Sequence, residues 1–354
     1  MIIWPRRKAI PVTDTDDALL TLPPPRIAPE TLADHLAQHW GLSGRLTSLT
    51  SERDLNHRLD SAQGRFVIRL TNPAEPAEMT DFQTRAHLHV AARDPGLPIQ
   101  HLRPLTDGRH ILPLPEGRLR VFTWLNGTPL AQAPRSTDQP LAIGSALARL
   151  TAALADYDHP AADHRLLWDI RQLPALAPKI PALSDPALRA EAETFTAGFA
   201  ARLSPVLDQM PRQVCHADFN PHNLLTALHA PDTITGILDF GDMVRTPRIC
   251  DLAVAASYQM GGGDPLDALA GIVQGYSAHL PLSRTETALL PDLITARMMA
   301  TLIITAWRAA LYPGNAAYIL RNAPAARAGL AAFRALGPQR IQKTIARAAG
   351  QEVP

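Results

Sequence analysis

The periodicity of the chain changes at NGTPL (residues 126–130), and that change constrains the fold more than any other feature. Before it, APETLADHLAQHW (28–40) carries apolar residues at helical spacing behind an acidic start. GRLTSLTS, HRLDSA and GRFVIRL follow as short alternating or β-branched runs, parted by SERDLN and by a turn around Gly64. Residues 77–92 return to helical spacing, and GLPIQHLRPL, GRHILPLPE and RLRVFTWL then alternate again. Residues 28–124 therefore read as helix, three strands, helix, two strands. After NGTPL, with its Asn-Gly and Pro turn signals, helical patterns cover 139–156, 186–208, 248–260, 264–279, 285–312 and 323–349. The one strand-like interruption is 214–242. The expected class is α+β: an irregular arm at 1–27, rich in Pro and Asp, a small sheet-bearing N-lobe at 28–124, and a larger helical C-lobe at 125–354 with one embedded hairpin.

A chain of 354 residues with 46% apolar content can bury two cores. A formal net charge of +1 gives no general pull toward nucleic acid or an anionic membrane, so neither is an expected partner. The longest apolar run, MMATLIITAW near residue 300, is about half a membrane span and ends at Arg308, which fits a buried helix. Cys215 and Cys250 have no CxxC spacing, and the start of the chain lacks the apolar core of a signal peptide. A cytoplasmic protein, monomeric or homodimeric, is expected. The thirteen histidines show no zinc-ligand spacing.

Residues 214–242 read VCHADFNPHNLLTALHAPDTITGILDFGD. Strands avoid Asp and Asn, so these polar groups are either turn residues of an ordinary hairpin or site residues held at strand ends. If 223–227 pairs with 234–238, Asn223 and Asp239 meet at the open end of the hairpin with Asp218 beside them. Magnesium takes hard oxygen ligands, a few from protein and the rest from phosphate and water. An amide oxygen and a carboxylate suit it, and a second carboxylate can take a proton from a substrate hydroxyl. Phosphoryl transfer needs little more than metal, positioning and such a base.

CHADFNPHNLL followed by ILDFGD resembles the paired catalytic and metal-binding motifs of the protein-kinase-like superfamily, and more closely its aminoglycoside phosphotransferase/choline kinase branch. With SERDLN, FVIRLTNPAE, WLNGTPL, LLWDIR, ILDFGDMVRTPRICDLAVAASY and TAWRAAL, roughly residues 30–320 are similar to the hydroxylysine kinase-like group. The resemblance implies a two-lobe kinase fold. It also implies a small-molecule kinase using Mg2+ and ATP or GTP, with a hydroxyl-bearing metabolite as acceptor. It makes Asp218 the base, Asn223 and Asp239 the metal ligands, His216 a brace of the catalytic loop, and Asp251 its structural tie. Thr123, Trp124 and Leu125 would present backbone to the purine, and the loop beginning at Ser51 would cover the phosphates.

One pair departs from the superfamily pattern. Where a lysine usually holds the nucleotide phosphates, FVIRL has Arg69, and alignment puts Asp81 in place of its usual glutamate partner. Arginine grips phosphate bidentately but is bulkier than lysine. Together with a phosphate loop lacking glycine, this leaves a nucleotide-binding module without turnover as the alternative, and an antibiotic phosphotransferase as a third reading. For an acceptor the candidates are Trp168, Asp169, Asp242, Arg245, Tyr258 and Arg297. Arg297 or Arg245 would meet a carboxylate, and Asp169 or Asp242 an ammonium group.

Overall fold

The structure, a computed structural model, describes residues 24–51 and 53–352. Most of the expected N-terminal arm lies outside the described residues. The chain divides into two compact units: one runs to Thr80 and resumes at Arg103–Phe122, the other comprises Asp81–Leu102 and everything from Thr123.

The first unit is a helix on a five-stranded sheet. Helix α1 (Pro29–Trp40) starts on a proline, whose missing N–H costs nothing in the first turn, and buries Leu32, Leu36 and Trp40 at four-residue spacing. Gly41 at φ 63° stops it, donating its N–H to the Ala37 carbonyl. Strands β1 (Gly44–Leu49), β2 (Leu55–Ser61), β3 (Gly64–Thr71), β4 (Leu112–Leu114) and β5 (Gly117–Thr123) lie in the order β1-β2-β3-β5-β4. Alternate side chains point to opposite faces. Phe66, Ile68 and Leu70 of β3 and Leu119 and Val121 of β5 therefore form one core with α1, while Arg69, Thr71, Arg120 and Phe122 take the opposite face. Gly117 is required where it stands: a Cβ there would lie 2.0 Å from the Thr71 carbonyl oxygen.

Helix α2 (Ala77–Arg93) begins in the first unit and continues into the second. There Phe82, Ala86 and Val90 are buried, and the Tyr157 hydroxyl donates to the Phe82 carbonyl at 2.7 Å. Helices α3 (Gln139–Ala153), α4 (Pro186–Gly198), α5 (Ser204–Gln209), α6 (Arg248–Ser257), α7 (Pro265–Ser277) and α8 (Arg284–Leu311) supply the bulk of the unit. α3 and α7 approach backbone to backbone, because Gly144 and Gly275 each leave space that a Cβ would take at 2.0 Å from a carbonyl of the facing helix. α8 is long and apolar enough to cross a membrane by length and composition. Here residues 296–305 are all buried, packed among α6, the C-terminal helices and the segment 170–182.

Two small sheets interrupt the helices. β7 (Gln213–Cys215) pairs antiparallel with β10 (Val244–Thr246). β8 (Leu224–Ala227) and β9 (Ala230–Ile237) form the hairpin, with Leu224 opposite Ile237 and Leu225 opposite Gly236. NGTPL is more than a break, since β6 (Thr128–Pro129) adds a third strand to that hairpin.

Three further segments differ from expectation, and a fourth, 170–182, carries no expected element. Residues 323–349 form two helices, α9 (Ala323–Leu336) and α10 (Pro338–Ala348), because Gly337 at φ 74° followed by Pro338 ends the first. The helix expected at 186–208 contains a wide turn at 199–203 just before Pro205, which has no N–H to continue the ladder. Residues 170–182 coil as a 3-10 run, with prolines at 174, 178 and 181 removing the donors an α-helix needs. In GLPIQHLRPL the expected strand is reduced to isolated bridges, one of them parallel from Ile99 to Ile237.

Candidate active site

The segment after β7 is bent by a carboxylate from the helix that follows the hairpin. Asp251, in the first turn of α6 and 1% exposed, accepts the N–H of His216 and of Ala217, both at 2.9 Å. Burial pushes its carboxyl above the ordinary range, against the pull of those two donors. Ala217 is thereby held at φ 62°, a conformation L-residues avoid. The second non-glycine residue at positive φ, among those described, is Asp239 at 59°. Strain of this kind persists where surroundings over-determine it, and here it brackets one site.

His216 ties the two bent segments together. Its Nε2 donates to the Leu238 carbonyl at 3.0 Å, and its Nδ1 accepts the Asp218 N–H at 3.3 Å. That pattern assigns the neutral Nε2–H tautomer. Phe219 and Phe240 pack edge-on against the ring, so it is sealed from solvent and braces the loop.

Asp218 is the centre of the network. Its Oδ2 accepts from the side-chain amides of Asn220 at 2.8 Å and Asn223 at 2.9 Å. Its Oδ1 accepts from Arg297 Nη2 at 3.1 Å. Burial, then the nearby charge of Asp242, raises its carboxyl to about 7, while Arg297 opposes the rise. Its side chain keeps 23% of its surface, so an approaching group can reach it. A carboxylate in that range is suited to accept a proton near neutral pH.

Asn223 and Asp239 flank the open end of the hairpin, where the Leu238 N–H donates to the Asn223 carbonyl at 2.8 Å. Asn223 commits its amide nitrogen to Asp218, which turns its Oδ1 away as an acceptor. Asp239 Oδ1 accepts the Gly241 N–H at 3.2 Å. An amide oxygen and a carboxylate are hard donors and fit a hard divalent cation that takes its other ligands from phosphate and water. Among the described residues no group of three or more His, Cys, Asp or Glu is gathered to hold a metal ion.

The acceptor candidates have distinct surroundings. Arg297 is 1% exposed; its Nη1 donates to the Trp168 carbonyl at 2.9 Å and its Nη2 to the Tyr258 hydroxyl at 3.3 Å. Asp169 is buried, caps the 3-10 run through the Arg171 N–H and accepts the Thr246 hydroxyl at 3.1 Å. Arg245 pairs with Asp158 and Asp163. Asp242 bears on Asp218 through its charge. Asp81 Oδ2 is met by Arg85 at 2.7 Å and His159 at 3.1 Å, and these bonds outweigh burial and lower its carboxyl. The Thr123 N–H is spent on the His101 carbonyl at 2.8 Å.

In the first unit, Arg69 faces Asn56 across β2 and β3, and its guanidinium lies 5.7 Å from the centre of the Phe122 ring. Arg69 Nε and Asn56 Oδ1 are buried without a hydrogen-bond partner. Arg120, which sequence reasoning missed, lies 5.5 Å from the same ring and donates to Thr71 Oγ1 at 2.9 Å. Burial, then the charge of Arg69, brings its guanidinium down to about 10. Ser51 Oγ accepts the Asp54 N–H at 3.3 Å, and Asp54 Oδ1 accepts the Asn72 N–H, which fastens the loop to the end of β3. Asn220 was also missed, although its place between Asp218 and Asn223 in DFNPHN was the signal.

Residues 47–288 match the phosphotransferase enzyme family. The chain belongs to that family. It is a phosphotransferase with an alcohol group as its acceptor. Among curated proteins it is 26% identical over 306 residues to hydroxylysine kinase of Mus musculus, covering 79% of this chain and 81% of the relative. It is 25% identical over 339 residues to hydroxylysine kinase of Danio rerio, covering 90% and 95%. Among solved structures it is similar to an amicoumacin kinase in complex with AMP-PNP, Ca2+ and Ami, at TM-score 0.63 and 14% identity over 84% of this chain and 93% of that one. A microcompartment-associated aminopropanol kinase gives TM-score 0.58 and 17% identity over 87% and 97%. The fold is therefore the two-lobe protein-kinase-like fold.

Proposed function

We propose that this phosphotransferase is a small-molecule kinase that moves the γ-phosphoryl group of ATP or GTP, with Mg2+, onto the hydroxyl of an amino alcohol or hydroxy amino acid. The observation that carries the reading is the Asp218 carboxylate, held by two amides and a guanidinium beside Asn223 and Asp239. The hydroxylysine kinases among its relatives supply the acceptor class. Asp218 orients the acceptor hydroxyl and takes its proton as the oxygen attacks phosphorus. Asn223 Oδ1 and Asp239 would hold the cation, which when bound neutralises charge on the phosphate oxygens. His216 and Asp251 fix the loop so that the carboxylate is in place before the acceptor arrives.

The test is release of nucleoside diphosphate from MgATP and MgGTP in the presence of 5-hydroxy-L-lysine, homoserine or 1-amino-2-propanol. Asp218→Asn should lower kcat by roughly 10²–10⁴ while nucleotide affinity by calorimetry stays near wild type. Wild-type turnover in that variant would show that Asp218 is not the base. Nucleotide binding with no turnover on any acceptor would favour the binding-module reading.

A further inference from the structure

Arg297 sits where an acceptor carboxylate could be recognised, yet its surroundings give it another role. A carboxylate offers about four lone-pair positions, two on each oxygen. On Asp218, Oδ2 has both filled by the amides of Asn220 and Asn223. Oδ1 receives one bond, from Arg297 Nη2. One position on Oδ1 is left, directly beside the guanidinium.

The guanidinium is fixed from several sides. Nη1 is committed to the Trp168 carbonyl and Nη2 also to the Tyr258 hydroxyl. The Trp168 ring centre lies 5.0 Å away and the Tyr258 ring centre 5.9 Å. The residue stands in the fully buried stretch of α8, and its Nε is buried without a hydrogen-bond partner. The side chain is thus placed for its Nη atoms at the expense of Nε. A cation held this way has no freedom to follow a substrate carboxylate.

We infer that Arg297 is a positioning residue that makes Oδ1 of Asp218 the proton-accepting atom and aims its remaining lone pair at the acceptor hydroxyl. The inference rests on the kinase reading above. In the step, the acceptor O–H bond breaks and its proton goes to Oδ1. The acceptor oxygen forms the new bond to the γ-phosphorus. The bond from that phosphorus to the bridging oxygen breaks, and its electron pair leaves on the nucleoside diphosphate.

The experiment compares Arg297→Met, Arg297→Lys, Tyr258→Phe, Asp218→Asn and the double variant Asp218→Asn/Arg297→Met, assayed with MgATP and 5-hydroxy-L-lysine. Arg297→Met should lower kcat by about a hundredfold, the scale of a misplaced reacting group, with the KM for ATP held. Arg297→Lys should recover part of the loss. The double variant should be no slower than Asp218→Asn alone, because residues acting through one atom are not additive. Losses that multiply, or a raised acceptor KM with kcat kept, would overturn the inference and return Arg297 to a packing or substrate role. If Arg297→Met does not fold, Tyr258→Phe decides: a lower kcat at unchanged KM supports positioning, and an unchanged kcat overturns it. A wild type inactive on every acceptor removes the kinase reading and this inference with it. An active wild type with an equally active Arg297→Met removes the inference alone.

Discussion

The two units treat buried charge in opposite ways. In the second unit two carboxylates at the site have dedicated donors: Asp251 two backbone N–H groups, Asp218 two amides and an arginine. In the first, two guanidiniums flank one phenylalanine ring, and the second of them titrates low because it is buried and close to the first. Carboxylates with fixed donors are ready for chemistry with no ligand present. Paired cations gain from an anion between or beside them, and the phosphates of a nucleotide are such an anion. The contrast separates carboxylates held by fixed donors from two guanidiniums that share one aromatic ring.

Three measurements bear on that contrast, in order of expected size. Asp239→Asn removes a charge from the pre-set centre and should lower kcat on the order of 10³, with the fold intact by circular dichroism. A loss below tenfold would mean that Asp239 is not part of the reacting centre.

The second concerns the frame of the same unit. Glu286 accepts from Arg248 at 2.7 and 3.0 Å and closes a capping box with Ser283 at the start of α8. Burial alone would raise its carboxyl, but Arg248 and Ser283 outweigh burial and hold it below its ordinary 4.5. A depressed carboxyl contributes its stability above the unfolded value and loses it as pH falls through the folded one. Thermal stability should therefore drop below about pH 4.5 more steeply in the wild type than in Glu286→Gln. At pH 7 that variant should be less stable by about 3 kcal/mol, read from denaturant midpoints. Parallel acid profiles in the two proteins would remove the ion pair from the account.

The smallest effect is expected in the first unit. Arg69→Lys should weaken MgADP binding by about tenfold and leave adenosine binding unchanged, since a lysine gives up the bidentate grip. Tighter binding by the lysine form would show that arginine there is a drifted residue rather than a working one.

Much of this was legible in the amino-acid order, for a physical reason. The hairpin, the strands of the first unit and most helices announce themselves through local periodicity and turn residues. Asp218, Asn223 and Asp239 stand at recognisable spacing because one short loop and one hairpin hold them. The parts that could not be read join residues far apart in the chain. Arg297 looks like a lone charge in the apolar run ARMMATLIIT, and nothing nearby tells that its partners are Asp218, Trp168 and Tyr258. Arg120 reads as a surface strand residue until β5 is seen beside β3, with its guanidinium on Thr71. Asp169 reads only as a candidate partner for an ammonium group, and nothing in the sequence signals that its Oδ1 also caps the 3-10 run and accepts from Thr246. The break at Gly337-Pro338 was readable, but the helical spacing on both sides concealed it.

The tie between Asp251 and the amides of His216 and Ala217 also bears on when this enzyme becomes an enzyme. A chain emerging from the ribosome carries CHADFNPHN well before it carries the first turn of α6. Until that helix docks, the two amides lack the carboxylate that bends them, and Ala217 has no reason to leave ordinary backbone space. The bend in CHADFNPHN is thus set by a residue more than thirty positions downstream. The reactive shape is withheld until most of the second unit has been made.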